Sequence, residues 1–329
     1  MTQNFCTLFD SGYLIRGLAM YQSLARHFGD FHLYIYPFDD ECLKILKQLA
    51  LPKVTLVSLR ELEGEELLKI KPTRSAKEYY WTCGSNSIWH TLKNFNLPSI
   101  TYLDADLYFY DSPQAIFDEL GQNSILLTEH RYPTREGKSE LSGKYCVQFM
   151  TFKNNTAGWS ALNWWRHACL NWCYDRYEDG KFGDQKYLDD WTNRFSGVHE
   201  LRHLGGGVAI WNIKRYNISK EAGKIMVAEK TGGPQWPLIF YHFHSVKVIK
   251  VFNQIKAMTT QAIAPAVQKL IYDDYSDGLT RAYQTLLKVK PDFKLGLSPS
   301  KDYWRNFIGR FVPAKLKKIL KKYDKKNPS

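Results

Sequence analysis

The segment Ser99-Ile100-Thr101-Tyr102-Leu103 runs directly into Asp104-Ala105-Asp106. Its first five residues are mostly apolar, aromatic or β-branched, which is typical of a buried strand. A carboxylate withdrawn from water must be paired, and one divalent cation can be the partner of two carboxylates. An Asp-x-Asp triplet alone arises easily by chance, so its place after a strand is what gives it weight. We therefore predict a cation site at Asp104 and Asp106, in which one carboxylate binds the ion and the other either shares it or contacts the ligand.

Strands and helices alternate on the N-terminal side of this segment and just beyond it. Such alternation predicts an α/β fold with a mostly parallel central sheet flanked by helices. Ligands of such sheets bind at the carboxyl ends of the strands, near a change in strand order, which is where Asp104 and Asp106 are expected. The predicted strands are 4–9, 31–36, 53–58, 99–103 and 124–128. Helices are predicted over 14–28 and 76–95. A further helix is predicted to begin at a cap formed by Asp39 or Asp40 and to end at Leu49.

The second half of the chain is more aromatic and less regular. Helices are predicted over 159–174 and 184–191, a tight turn at the glycines 205–207, and a polar, helical region over 253–290. We expect a main domain over 1–250, a helical subdomain or extension over 251–300, and a basic amphipathic tail over 301–329.

Positive charge is concentrated in the last 29 residues. The formal net charge of the chain is +12. Residues 301–329 contain ten basic and two acidic residues (+8), which leaves 35 basic and 31 acidic residues (+4) in residues 1–300. A nearly balanced body argues against a nucleic-acid partner. The tail alternates apolar and lysine-rich faces, which favours peripheral contact with an anionic membrane surface; the alternative is a terminal helix packed on the body.

The six cysteines form no paired C-x-x-C array, which favours free thiols in a reducing compartment. The first residues enter a strand-like run without a signal-peptide pattern, and no apolar run reaches the roughly 18 residues of a membrane span. We expect a cytoplasmic protein, with the tail at the inner face of the plasma membrane.

Four motifs in order resemble those of one enzyme family. Over about the first 250 residues the chain resembles the nucleotide-diphospho-sugar transferases of the GT-A fold, and among them the retaining enzymes of glycosyltransferase family 8 and their bacterial relatives. The motifs are Thr7-Leu8-Phe9-Asp10-Ser11, Tyr102-Leu103-Asp104-Ala105-Asp106, Phe182-Gly183-Asp184-Gln185 and Tyr241-His242-Phe243-His244.

The resemblance implies a glycosyltransferase of the hexosyltransferase type, which moves a sugar from a UDP-sugar to a glycan or lipid-linked acceptor in surface polysaccharide synthesis. A cation, Mn²⁺ or Mg²⁺, neutralises the diphosphate as it leaves. The implied metal ligands are Asp104, Asp106 and His242. Asp104 also contacts the donor.

Further donor contacts follow from the same resemblance. Thr7, Asp10 and Tyr13 lie against the nucleotide base, and Lys247 touches a phosphate. Asp184 and Gln185 line the donor sugar near the reacting carbon. Apart from the resemblance, Arg74 and Lys77 lie near the start of the helix predicted over 76–95, where they either meet phosphates or are solvated charges.

Several alternatives remain open. The late motif, His242-Phe243-His244-Ser245-Val246-Lys247, is one residue shorter than the usual family pattern and lacks its glycine, so His244 competes with His242 as the metal ligand. Asp184 and Glu129 are both candidate nucleophiles. A sugar-nucleotide nucleotidyltransferase shares a related fold, but residues 10–17 lack the lysine of its loop. A non-catalytic module that binds membranes or anions through the tail is the third alternative.

Overall fold

The computed structural model describes residues 2–133 and 141–299. Fifteen strands are found in this part of the chain. They are β1 Gln3–Phe9, β2 Phe31–Pro37, β3 Val54–Leu56, β4 Ser99–Leu103, β5 Leu107–Phe109, β6 Ile125–Glu129, β7 Tyr145–Lys153, β8 Val198–Glu200, β9 Val208–Ala209, β10 Tyr216–Glu221, β11 Lys224–Glu229, β12 Trp236–Pro237, β13 Phe240–His242, β14 Lys247–Val251 and β15 Gln254–Met258.

Seven strands form the central sheet, in the order β3-β2-β1-β4-β7-β6-β8. Four of its six strand pairs are parallel, and β7 is antiparallel to both of its neighbours. The predicted α/β fold with a mostly parallel central sheet is confirmed. Strand β4 lies between the parallel strand β1 and the antiparallel strand β7, so the strand direction changes beside Asp104.

Helices cover both faces of this sheet. The helices of the described residues are α1 Leu14–His27, α2 Asp40–Leu49, α3 Leu59–Leu62, α4 Glu65–Ile70, α5 Ala76–Asn94, α6 Gln114–Leu120, α7 Thr156–Asn171, α8 Trp191–Arg194, α9 Pro265–Val267 and α10 Asp273–Val289, with a π-helical segment, Gln268–Tyr272, between the last two. None of them combines the length and apolarity that crossing a membrane requires.

Local sequence signals account for several helix boundaries. The side chain of Asp39 accepts a hydrogen bond from the backbone N–H of Cys42 and caps α2. Ser75 and Glu78 form a capping box at the start of α5, in which each side chain bonds to the other residue's backbone N–H. This cap fixes where α5 begins, and the first turns of α5 carry residues that reach the functional cavity.

The two faces of the sheet bury separate apolar clusters because alternate residues of a strand point in opposite directions. Phe5 and Phe9 of β1 pack in the cluster that contains α1 and α10. Cys6 and Leu8 of the same strand pack in the cluster that contains α5 and α7. The helices therefore hold β1 and β4 from both sides and give their carboxyl ends a fixed position.

A second, three-stranded sheet brings β13 close to the residues that follow β4. Strand β13 pairs antiparallel with β5 and parallel with β9. In this register His242 lies opposite Leu107, the residue that follows Asp106. The pairing therefore determines which distant side chain faces the acidic motif.

Three predicted helical stretches differ from the observed elements. Helix α7 starts three residues earlier than predicted because Asn155 caps it. The stretch 184–191 forms the 3₁₀ turn Lys186–Leu188, and the next α-helix, α8, begins only at Trp191.

The region 253–290 begins with a strand, not a helix. Ile255 and Ala257 alternate with more exposed residues, which is a strand pattern, and β15 pairs with β14. Helical structure starts at Pro265. The buried side chains of β15 and α10 belong to the same apolar cluster as Phe5. The predicted tail, 301–329, lies outside the described residues.

Candidate functional site

A cavity of about 720 Å³ opens at the carboxyl ends of β1 and β4. Acidic, imidazole and aromatic side chains share its wall, which is the composition of a site for a polar ligand with ring systems. The lining residues used below are Asp10, Tyr13, Lys77, Tyr80, Trp81, Asp104, Asp106, His130, Cys146, Asp175, Asp184, Gln185, Trp211, His242, His244 and Ser245.

Backbone hydrogen bonds position the acidic motif. The backbone N–H of Asp104 donates to the carbonyl of Gln148 on β7 at 3.0 Å. The carbonyl of Asp106 accepts a hydrogen bond from the N–H of Phe243 at 3.0 Å. The motif is therefore held between β7 on one side and the chain that follows β13 on the other.

His242 is the imidazole that meets the two carboxylates. Its Nε2 lies 3.0 Å from Oδ1 of Asp106 and 3.6 Å from Oδ2 of Asp104. Its Nδ1 lies 2.8 Å from Oε1 of Gln148. His244 lines the cavity but is more exposed, and its ring is 5.8 Å from that of His242. The structure thus brings His242, rather than His244, into contact with the acidic pair.

The charges of these groups are strongly linked. Burial raises the pKa of Asp104 to about 6, although the charge of His242 opposes this. Burial also disfavours ionisation of Asp106, but the charge and hydrogen bond of His242 outweigh it and lower the pKa of Asp106 to about 2. Burial lowers the pKa of His242, and the contact with Asp106 reverses this and raises it well above the ordinary value.

The donor chemistry of this cluster fits a divalent cation. Ligand atoms of Asp104, Cys146 and His242 all lie within 4.8 Å of one another. Asp106 contacts His242 but lies outside this group. Carboxylate oxygen suits Mg²⁺ and Mn²⁺, whereas imidazole nitrogen and sulfur favour later first-row ions such as Co²⁺ and Zn²⁺. Gln148 holds the far side of the imidazole, as the outer partners of metal-bound histidines do.

One end of the cavity combines aromatic rings with polar groups. Asp10 accepts hydrogen bonds from the backbone N–H of Tyr13 at 3.1 Å and from the hydroxyl of Tyr80 at 2.8 Å. The Nζ of Lys77 lies 2.7 Å from a carboxylate oxygen of Asp175 and 4.5 Å from the ring centre of Trp81. This end therefore offers ring faces, a carboxylate and the ammonium group of Lys77 to a ligand.

Asp184 and Gln185 form part of another wall. Asp184 is buried and lines the cavity. Burial, and then the charge of Asp104, raise the pKa of Asp184 to about 7. The side-chain amide of Gln185 donates to the carbonyl of Ser142 at 2.7 Å. Glu129, the other candidate nucleophile, is not among the described residues that line the cavity.

Two predicted donor contacts lie elsewhere in the structure. Thr7 is fully buried within β1, and it does not appear in the cavity wall of the described chain. Lys247 begins β14, where it is exposed and outside that wall. The turn at Ser245, which has a φ of +57°, precedes this strand, and Ser245 itself lines the cavity.

The sequence interpretation overlooked several site residues. Cys146 and Gln148 lie on β7, a strand that was not predicted; their two-residue spacing would have placed them on one face of it. Tyr80 and Trp81 follow Lys77 on α5 and could have been found from helical spacing alone. No short-range signal points to Trp211, whose ring centre is 5.1 Å from that of His242.

Comparison with known proteins places the chain among relatives from one bacterium. No protein-family model matches the chain. It is 32% identical over 303 residues to the uncharacterized protein YfnF of Bacillus subtilis (strain 168). The aligned region covers 89% of this chain and 97% of YfnF. It is 30% identical over 304 residues to the uncharacterized protein YfnD of the same strain. This alignment covers 91% of this chain and 95% of YfnD.

Similarity to solved structures is weaker. The galactosyltransferase LgtC, crystallised with donor and acceptor sugar analogs, is 12% identical, with a TM-score of 0.49 and coverage of 92% of this chain and 99% of LgtC. The matches to YfnF and YfnD extend over nearly the whole length of each protein, and the chain belongs to the family of these two Bacillus subtilis proteins.

Proposed function

We propose that this protein is a metal-dependent glycosyltransferase that transfers a sugar from a nucleoside-diphosphate sugar to a glycan or lipid-linked acceptor. One observation carries the proposal: Asp104, Asp106 and His242 meet at the wall of a cavity at the carboxyl end of a central strand. The sequence motifs that resemble the GT-A transferases contribute these residues and much of the same cavity.

The size and composition of the cavity support this substrate class. Sites for small molecules typically enclose about 300–1,000 Å³, and this cavity of about 720 Å³ lies within that range. Rings of Tyr13, Tyr80 and Trp81 offer faces for a base or a sugar. Lys77 adds a positive charge for a phosphate, and Asp10 adds a hydrogen-bond acceptor for the base or ribose.

The cation is assigned to the acidic motif. Asp104 and His242 hold it, and Asp106 completes the charge around it or orients the donor. When bound, Mn²⁺ or Mg²⁺ supplies positive charge that stabilises the departing diphosphate. Gln148 keeps the imidazole of His242 in the orientation in which Nε2 faces the carboxylates.

Asp184 is the residue that we assign next to the reacting carbon. Its pKa of about 7 leaves a large protonated fraction at neutral pH, so the carboxyl group can donate a hydrogen bond to the donor as well as accept one. Gln185 is held by Ser142 and presents its amide to the same wall. Membership of family 8, a UDP donor and retention of configuration are further parts of the proposal, and they come from the motif resemblance.

The remaining proposals concern the domains, the acceptor and the location of the protein in the cell. We propose that residues 1–250 form the transferase domain, that 251–300 extend it, and that the basic tail holds the cytoplasmic protein at an anionic membrane surface. An acceptor built on a membrane lipid would be reached from there. Vesicle binding by the whole chain and by a chain ending at Ser298 tests the role of the tail, and equal binding would contradict it.

Donor turnover tests the enzymatic proposal. The protein is incubated with UDP-, GDP- and CDP-sugars and Mn²⁺, and release of the nucleoside diphosphate is measured, with water as a default acceptor. We expect release from one donor class, its loss on removal of the cation, and its loss in Asp104→Asn. Asp111→Asn is the matched control, since Asp111 pairs with the exposed Lys224. Synthesis of a sugar nucleotide from a nucleoside triphosphate would instead support a nucleotidyltransferase.

A further inference from the structure

We propose that Cys146 is a ligand of the cation, and that its thiolate makes the site prefer later first-row ions such as Co²⁺ and Zn²⁺ over Mg²⁺. The inference rests on the proposed cation site and specifies its ligands. The acidic motif and the late histidine suggest only oxygen and nitrogen ligands. The structure adds sulfur.

Distances among the donor atoms carry this inference. Cys146 Sγ, a carboxylate oxygen of Asp104 and a ring nitrogen of His242 all lie within 4.8 Å of one another. Bonds of about 2.3 Å to sulfur and about 2.0–2.2 Å to nitrogen or oxygen hold donors around one cation no more than about 4.5 Å apart. A small rotation of the side chains is therefore enough to close the group around a single ion.

Strand β7 explains why a thiol is present there. Cys146 and Gln148 are two residues apart on β7 and point to the same face. Both side chains reach His242. One strand thus supplies the group that orients the imidazole and a sulfur beside it, and the antiparallel neighbour β4 supplies Asp104.

Cys146 is also distinguished from the other cysteines by its access to the cavity. All six cysteines are free and buried, and all lie in the described residues. Among them only Cys146 lines the cavity. Its sulfur can therefore meet an ion that enters with a ligand, whereas the other thiols are enclosed by the apolar clusters.

Binding requires the loss of two protons. The S–H bond of Cys146 and the Nε2–H bond of His242 break, both protons pass to water in the cavity, and the freed lone pairs of sulfur and nitrogen form bonds to the cation, with no change of oxidation state. The thiolate and the Asp104 carboxylate then contact the cation directly, the ionised Asp106 carboxylate lies beside them, and His242 binds as the neutral imidazole. Soft sulfur gains more from Zn²⁺ or Co²⁺ than from the hard, strongly hydrated Mg²⁺.

Cobalt spectroscopy on the whole chain tests the proposal. Co²⁺ bound by a thiolate gives an intense near-ultraviolet charge-transfer band in addition to weak visible bands. We expect this band in the wild type and in Cys42→Ser, whose thiol lies in the core and contacts the Phe9 carbonyl. We expect its loss in Cys146→Ser, with Co²⁺ affinity lower by at least about tenfold and Mg²⁺ affinity little changed.

The outcomes separate this inference from the proposed function. Visible bands without the charge-transfer band in the wild type would show a cation site without sulfur, which overturns the role of Cys146 and leaves the transferase proposal in place. Failure of the folded wild type to bind Co²⁺, with or without a nucleoside diphosphate, would overturn both. A band that persists in Cys146→Ser would assign it to another thiol.

Alkylation of the wild type gives a second test that needs no variant. Iodoacetamide should modify Cys146 ahead of the other five thiols, and Co²⁺ should slow this reaction while Mg²⁺ has little effect. Peptide mapping by mass spectrometry identifies the modified residue. Modification of Cys146 at the same rate with and without saturating Co²⁺ would contradict coordination by its sulfur.

Discussion

Oε1 of Gln148 lies 2.8 Å from Nδ1 of His242, although 94 positions separate the two residues in the chain. An amide oxygen can only accept a hydrogen bond, so Nδ1 carries the proton in this contact. Nε2 of the same ring faces Asp104 and Asp106. The contact therefore fixes the ring in the orientation that a cation ligand requires.

Removing this contact should weaken cation binding without unfolding the protein. Gln148→Met keeps the volume of the side chain but loses the acceptor, and we expect the affinity for Mn²⁺ to fall by about 10–100-fold. Gln148→Glu retains an oxygen at the same place and is the matched control. Titration followed by the paramagnetic signal of free Mn²⁺ measures both, and equal affinity in wild type and Gln148→Met would contradict the assignment.

Asp184 should make the stability of the protein fall as the pH rises from about 4 to 7. Its pKa is about 7 in the folded protein, above the ordinary 3.8, so the folded state holds a proton that the unfolded chain has released. This contribution is fully present below pH 4 and is lost as the pH passes 7. Asp184→Asn has no charge to lose at this position. Its unfolding free energy minus that of the wild type should therefore be larger at pH 8 than at pH 4, by up to about 4 kcal/mol.

Urea unfolding at pH 4 and pH 8 measures this difference. Asp175→Asn is the control, because Asp175 is an exposed acid at the same cavity, and its effect at the two pH values should differ by no more than about 0.5 kcal/mol. A gain for Asp184→Asn that is equal at both pH values would mean that the charge of Asp184 is not the cause.

The two predicted phosphate lysines should behave differently. Lys77 lines the cavity and Lys247 lies outside its described wall. Lys77→Met should weaken binding of a nucleoside diphosphate by about tenfold, or about 1.4 kcal/mol, and reduce its salt dependence. Its exposed pair with Asp175 contributes at most about 1 kcal/mol to stability, so the fold should persist.

Lys247→Met is the matched variant for this comparison, and its nucleotide affinity should equal that of the wild type. Calorimetric titration of UDP in the presence of Mn²⁺ at low and high salt gives both affinities. The opposite pattern, with weaker binding in Lys247→Met alone, would place the phosphates on the β14 side of the cavity.

Gly205 should be required for the position of β13. Its carbonyl accepts hydrogen bonds from the backbone N–H groups of Ile239 and Phe240, and an added Cβ would lie 1.8 Å from the carbonyl oxygen of Pro237. Gly205→Ala should destabilise the protein by about 1–3 kcal/mol or more. Because β13 carries His242, cation affinity should fall as well.

Gly29→Ala is the control for this substitution, since no other group lies within 4 Å of a Cβ built there. Its unfolding free energy should stay within about 0.5 kcal/mol of the wild type. Thermal and urea unfolding compare the two variants. A Gly205→Ala protein as stable as the control would show that this contact can relax at no cost.

Local patterns were sufficient to predict the four neighbouring parallel strands β3, β2, β1 and β4. Strands β1, β2 and β4 are rich in apolar residues and bury nearly all of their side chains, because helices cover both faces of the sheet. Caps such as Asp39 then mark where helices begin. The position of Asp104 at the carboxyl end of β4 followed from these elements alone.

The sequence did not predict which strands pair when they lie far apart in the chain. Strand β7 joins the sheet antiparallel to β4, and only this pairing brings Cys146 and Gln148 to the acidic motif. Thr7 was expected at the nucleotide from the motif around Asp10, but it lies inside the strand and is fully buried. Lys247 was expected at a phosphate, but it begins β14 outside the described cavity wall.

Binding of nucleotides with and without Mn²⁺ tests the central claim most directly. Thermal unfolding is followed with UDP, GDP, CDP and their sugars, and a ligand at a hundred times its dissociation constant stabilises the folded state by about 2.7 kcal/mol. The account predicts stabilisation by one nucleotide class that requires Mn²⁺ and is lost in Asp104→Asn but kept in Asp111→Asn. Equal stabilisation without the cation, or none with any nucleotide in folded protein, would contradict it.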